Sequence, residues 1–177
     1  VSELIDVLNS DGSPAGIRKP KADVHRDGDW HRSVHVWIFT PDGRVLLQKR
    51  SLRKENNPGL WDVSAAGHVS AGEDWMTSAI REVEEELGLR LSTAEIRHAA
   101  TFRESAVMND GTWIENEFHE VYVVKREIDF TSLVLQDGEV EAVELIPLDQ
   151  LPKWMPAMVP HDEEYAFILT IPTTSSP

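Results

Sequence analysis

The sequence predicts an α/β sandwich around a mixed β-sheet, with one amphipathic helix near the middle of the chain. Segments with strand patterning outnumber helical ones, and turn formers separate them. Between residues 75 and 87 the period changes: Trp75, Met76, Ala79, Ile80, Val83 and Leu87 recur at helical spacing.

In chain order, residues 4–8 alternate enough for a short strand, and Asn9-Ser10-Asp11-Gly12 is turn chemistry, so residues 1–32 open with a hairpin. Residues 18–32 hold too many turn formers for regular structure and are expected to be an exposed loop. In the strand expected over 33–40, Val34, Val36 and Ile38 line one face and His35, Trp37 and Phe39 the other. Both faces are apolar enough for burial, and His35 is expected to be a hydrogen-bonded structural residue. Asp42-Gly43 turns the chain into a strand over 45–50, a second hairpin that ends on Lys49-Arg50. The loop 51–59 closes on Asn57-Pro58-Gly59 and delivers Trp61. After the helix, residues 96–103 and 113–124 read as strands joined by Asn109-Asp110-Gly111, and 140–145 as another. Pro147 opens a short helix or turn through 151, and residues 162–169 form a terminal helix stopped by Pro172.

At 177 residues, 41% hydrophobic and 27% charged, the chain fits one domain over 1–177. Val1 at the start and Thr-Thr-Ser-Ser-Pro at the end fit a piece of a longer protein. The absence of cysteine excludes disulfides, thiolate metal sites and cysteine nucleophiles. No apolar run reaches the length of a membrane span and no signal-peptide pattern opens the chain, so a cytoplasmic enzyme is expected. The net charge of −14 is uneven: residues 1–54 hold ten Lys/Arg against seven Asp/Glu, and the rest hold seven against twenty-four. Such a field repels nucleic acid. Cations upstream and carboxylates downstream are together what a diphosphate and its metal ions require.

The carboxylates concentrate at residues 67–89, GHVSAGEDWMTSAIREVEEELGL. Glu82, Glu85 and Glu86 are expected to project from the helix face opposite the apolar stripe. As i,i+3 and i,i+4 neighbours, each like-charged pair destabilises an isolated helix by roughly 0.2–0.5 kcal/mol. Arg81, four residues before Glu85, neutralises one carboxylate, and hard divalent cations suit the others. Gly88 supplies the left-handed residue that ends such a helix.

The spacing Gly67-x5-Glu73-x7-Arg81-Glu82-Val83-x-Glu85-Glu86-x-Gly88-Leu89 resembles the Nudix box at every position. Seven fixed letters recur by accident roughly once in 10⁹ starts. The resemblance implies a Nudix-type α/β/α sandwich, with the box as loop-helix-loop. It also implies a small-molecule diphosphate substrate, an NDP-X compound or an isoprenoid diphosphate, hydrolysed with Mg²⁺ or Mn²⁺. Glu82, Glu85, Glu86 and the Gly67 carbonyl would then be metal ligands. Arg81 would orient the glutamates and Glu73 would support the loop. The general base varies in the family, and a box glutamate or a carboxylate on a later strand can serve.

Outside the box, much of residues 20–120 resembles the branch that includes isopentenyl-diphosphate isomerase type I. On that resemblance Lys21, Arg50 and Lys54 fall where the diphosphate-binding cations stand, and His25, His31 and His68 where the metal-binding histidines stand. Glu115 and Glu117 match a Glu-Asn-Glu strand that reaches the metal, its second glutamate also catalytic, and Trp154 matches a tryptophan beside the substrate. His25 and His31 are nevertheless expected in the exposed segment, where a surface or substrate-contacting role competes with metal binding. Trp61, Trp113 and Trp154 are candidates for stacking on the attached group, with packing as the alternative. The isomerase cysteine before the Gly-His step is replaced by Ala66, which points to a hydrolase on an isomerase-like frame. An isomerase using Glu117 and a non-catalytic diphosphate-binding module stay open, as does a homodimer paired through the N-terminal hairpin.

Overall fold

The fold is built outward from one strand whose two faces pack against different layers. The computed structural model describes residues 2–172. They form β1 (Leu4–Leu8), β2 (Pro14–Pro20), α1 (Lys21–Asp27), β3 (Trp30–Phe39), β4 (Arg44–Arg50), β5 (Trp61–Asp62) and β6 (Ala65–His68). There follow α2 (Trp75–Leu87), β7 (Ile96–Met108), β8 (Trp113–Lys125), β9 (Val140–Pro147), α3 (Leu151–Trp154) and α4 (Asp162–Ile168).

The central strand is β3, parallel to β8 over ten residues and antiparallel to β6. Its alternation is as expected: Val34, Val36 and Ile38 pack with Ala79, Val83 and Leu87 of α2, while Trp37 and Phe39 pack with Tyr165 and Ile168 of α4. The strands are antiparallel apart from the β3–β8 pairing, which makes the sheet mixed.

The hairpin expected between β3 and β4 opens after a single pair, Phe39↔Val45, because β4 turns away to pair with β5 and β9. Ser64 spans the opening, accepting from Ile38 N at 2.8 Å and donating to the Leu46 carbonyl at 2.5 Å. A buried strand end would otherwise leave these groups unpaired.

Asp74 caps α2 by accepting from Thr77 N at 3.0 Å, and Gly88 ends it at φ 71°. A side chain at residue 88 would meet Val134 Cβ at 2.8 Å, because the chain after β8 crosses here. Val134 N and Gln136 N donate to the carbonyls of Leu87 and Glu86, satisfying two of the last acceptors of the helix.

Three expectations need correction. The segment 18–32 is regular: it completes β2, forms α1 and begins β3, and it buries Val24, His25 and His31 fully. The turn formers in it act at its ends, Pro20 ahead of α1 and Gly28 at φ 72° after it. Strand β7 runs five residues beyond 103, to Met108. Finally, the face of α2 opposite its stripe is not all acid in water, since Glu82 and Glu86 are buried beside Ala79 and Val83 and Glu85 stays half-exposed. Among the described residues no helix is long and apolar enough to cross a membrane.

Candidate active site

The Glu82 carboxylate of α2 packs against the sheet at a position that lacks a side chain. A Cβ built on Gly67 would lie 2.1 Å from the carboxyl carbon of Glu82 and 2.2 and 2.5 Å from its oxygens. Gly67 does not have a positive φ, so glycine is needed for space and not for backbone conformation. One turn on, Glu86 Oε1 accepts from Ala66 N at 2.9 Å and its Oε2 accepts from Gln48 Nε2 at 2.7 Å.

These contacts leave an imbalance of charge. Both donors to Glu86 are neutral, and burial followed by the Glu82 charge pushes its carboxyl up to about 8. Burial raises Glu82 to about 7, although Arg81 Nη1 donates to it at 2.8 Å. Arg81 also bonds Glu73 through Nε and Nη2, Glu85 at 3.2 Å and the His68 carbonyl at 3.2 Å. It thereby ties the loop ahead of α2 to the helix. Oxygen donors that are buried, clustered and short of positive charge fit a hard divalent cation.

A cavity of about 880 Å³ borders these groups, and Lys21, Arg50 and Lys54 line it together with Gly67, Glu82, Glu85 and Glu86. Each cation faces an acid. Arg50 Nη1 donates to Asp62 at 3.2 Å, Lys54 donates to Glu139, and Lys21 stands 4.0 Å from Glu3. Trp154 is not on the cavity wall; it packs edge-on against Trp61 at 5.0 Å in the α3–α4 layer.

The histidines converge more tightly than their segment suggested. Ligand atoms of His25, His31, His68 and Glu117 all lie within 4.8 Å of one another. His25 Nδ1 is 3.1 Å from the Ile114 carbonyl and His31 Nδ1 is 2.9 Å from the Asp29 carbonyl, which turns both Nε2 atoms inward. His31 Nε2 is 2.9 Å and His68 Nε2 3.3 Å from Glu117 Oε1. Burial lowers His25 to about 4 and His68 to about 3, so both are neutral near pH 7. Burial opposes it, but the bonds from His31 and His68 hold the Glu117 carboxyl well below the usual range. Imidazoles held at the far nitrogen and joined by a carboxylate make a donor set for a divalent ion. Glu115 lies outside this cluster, accepting from Trp113 Nε1 at 3.2 Å and raised to about 7, chiefly by burial. Trp113 stacks on His25 with ring centroids 3.9 Å apart.

Sequence reasoning missed Gln48, Glu104, His119, His161 and Glu164. His35 Nδ1 bonds Glu164 Oε2 at 2.8 Å and Trp37 Nε1 donates to Glu164 Oε1 at 2.7 Å, so the structural role expected for His35 holds and its partner comes from α4. The signal that could have found His119 is its place two residues after Glu117, on the same face of β8.

A profile of the NUDIX domain matches residues 29–166. The chain belongs to the Nudix family. Nudix hydrolase 3 of Arabidopsis thaliana is 46% identical over 167 residues, 90% of this chain, but this chain spans only 22% of the length of that protein. An isopentenyl-diphosphate Delta-isomerase of Serratia proteamaculans is 34% identical over 123 residues, 70% of this chain and 66% of that protein. The crystal structure of DR0079 from Deinococcus radiodurans superposes with a TM-score of 0.71 at 19% identity, covering 94% of this chain and 97% of that one. The fold is thus the Nudix fold, and the relatives include both Nudix hydrolases and isomerase-like Nudix proteins. Nudix proteins generally use divalent ions such as Mg²⁺ or Mn²⁺.

Proposed function

We propose that this Nudix chain hydrolyses a small organic diphosphate with the help of divalent metal ions. The observation that carries the reading is the Gly67 position, where the missing side chain makes room for the Glu82 carboxylate, with Glu86 buried one turn on, beside a cavity that Lys21, Arg50 and Lys54 also line. Glu82, Glu85, Glu86 and the Gly67 carbonyl would hold Mg²⁺ or Mn²⁺. When bound, such ions neutralise charge on the phosphoryl oxygens and acidify an attacking water.

The other roles belong to side chains. Arg81 fixes the directions of Glu82 and Glu85. The cations take the outer phosphate oxygens, exchanging their acid partners for a doubly charged ligand. Gln48 and the Ala66 amide keep both oxygens of Glu86 in place. The wall near Gly67 is mostly charged and polar, which favours a polar attached group, as in an NDP-X compound, over an isoprenoid chain. The test is a panel of nucleoside diphosphate derivatives and short isoprenoid diphosphates with Mg²⁺ or Mn²⁺, read by released phosphate or monophosphate. Turnover on the polar members is expected; absence of metal-dependent turnover on every member would sink the reading.

The His25, His31, His68 and Glu117 cluster supports a second reading, an isomerase-like proton transfer with Glu117 as the acid-base group. Ala66 stands against it, since the thiol partner is missing. Uptake of deuterium into isopentenyl diphosphate in heavy water, followed by NMR, would reveal this activity.

A further inference from the structure

Glu104 of β7, His119 of β8 and His161, just before α4, meet beside the same cavity without a part in the chemistry above. Their ligand atoms lie within 4.8 Å of one another. His119 Nε2 is 2.9 Å and His161 Nδ1 2.8 Å from one oxygen, Glu104 Oε2. Both imidazoles are buried and border the cavity, and Glu104 is half-buried.

The surroundings hold His119 as a ligand is held. His119 Nδ1 lies 2.5 Å from Ser33 Oγ and 3.3 Å from Glu117 Oε2, so Nδ1 has acceptors for its proton once an ion takes the place of the proton that Nε2 shares with Glu104 at 2.9 Å. Metal-ligating imidazoles are oriented in this way, by a hydroxyl or carboxylate on the far nitrogen. His35 stacks on His119 with centroids 4.2 Å apart and is itself tied to Glu164. Glu117 therefore stands between two histidine sets, with Oε1 toward His31 and His68 and Oε2 toward His119.

We propose that Glu104, His119 and His161 form a separate site for a divalent transition ion of the Zn²⁺ class, its remaining coordination position open to the cavity. Two imidazoles and one carboxylate suit Zn²⁺, Mn²⁺ or Fe²⁺, whereas Mg²⁺ prefers oxygen alone. Bonds of about 2.0–2.1 Å place tetrahedral ligands about 3.3 Å apart. The present 2.8 and 2.9 Å separations thus open by roughly half an ångström, a shift within reach of Glu104, the least buried of the three. The competing arrangement is a hydrogen-bonded triad that braces α4 against the sheet and binds no ion. The site stands independently of the hydrolase reading.

The experiment titrates metal-free protein with Zn²⁺ in excess Mg²⁺, by calorimetry and by metal analysis after gel filtration. Because the His25, His31 and His68 set also offers imidazoles, the titration is repeated in a His25→Ala/His68→Ala background. One Zn²⁺ per chain is expected there, its affinity lowered at least tenfold by His161→Ala or Glu104→Gln. Crystals of the unaltered protein soaked in Zn²⁺ locate the ion by anomalous scattering, and they decide the question if a variant does not fold. A peak between Glu104, His119 and His161 is expected. Zn²⁺ found only at the acidic helix or the other histidine set, or binding unchanged by His161→Ala, overturns the proposal.

Discussion

Replacing Gly67 with alanine tests whether the missing side chain is what admits Glu82. The new methyl would stand 2.1 Å from the Glu82 carboxyl carbon, so the carboxylate must retreat by about 1.3 Å to reach an ordinary 3.4 Å contact. That movement breaks the 2.8 Å bond from Arg81 and displaces a metal ligand of the proposed site. A misplacement of about 1 Å in a catalytic constellation costs on the order of 10²-fold. The fold should suffer less, because the clashing atoms are the far end of a long side chain and the backbone needs no left-handed conformation. Overpacking costs about 1–3 kcal/mol in well-packed cores, and about 1 kcal/mol is expected here. Gly67→Ala should therefore lower metal-dependent kcat about a hundredfold while moving the urea midpoint only slightly. In a Glu82→Ala background the same substitution has nothing to strike and should cost little more, a strong departure from additivity. Activity of Gly67→Ala within threefold of the unaltered protein, or additive losses in the double variant, would refute the reasoning.

Glu86→Gln should lower kcat about a hundredfold or more, and its effect on stability should depend on pH. The Glu86 carboxyl is raised to about 8 from an unfolded value near 4.5, so its stabilising contribution is present below about pH 4.5 and lost as pH rises through 8. Relative to Glu86→Gln, the metal-free protein should thus lose on the order of several kcal/mol between pH 5 and 8, read by denaturant titration. Saturating Mg²⁺ should cancel most of that loss, since a ligand that favours the ionised carboxylates stabilises more at high pH; a flat difference with pH would contradict the assignment. Arg81→Lys keeps the charge but loses the planar fork that reaches Glu73, Glu82, Glu85 and the His68 carbonyl, so kcat should fall at least tenfold with circular dichroism unchanged. Lys54→Ala should raise KM about tenfold with a smaller effect on kcat, as expected when a phosphate contact is equally strong in the ground and transition states. An unchanged KM would remove Lys54 from the phosphate site.

Much of this protein was legible in its residue order because the relevant patterns are local. Periods of two and 3.6 residues placed β3 and α2 and divided the faces of β3 correctly. What failed were statements about exposure and packing that depended on distant neighbours, although the cations and box carboxylates do meet at one cavity. His25 and His31 lie among turn formers, yet they are fully buried because α1 and the start of β3 fold under the strand that carries Ile114 and Glu117. Glu82 and Glu86 belong by spacing to the polar stripe of α2, yet they are buried because Gly67 leaves room and Gln48 and Ala66 offer donors. Trp154, by resemblance a substrate neighbour, packs against Trp61 away from the cavity wall. Glu104, His119 and His161 carry no shared motif, and sheet pairing and the course of the chain into α4 bring them together.

By itself the sequence determined the acidic helix and its stop at Gly88, the alternation of the central strand, the absence of thiol chemistry, and the set of letters that marks the family. Only the tertiary structure decided which carboxylates are buried and which imidazoles meet around a shared carboxylate. The reason is register: contacts between distant strands depend on how each strand pairs, a slip of one residue sends a side chain to the opposite face, and no local pattern encodes that choice.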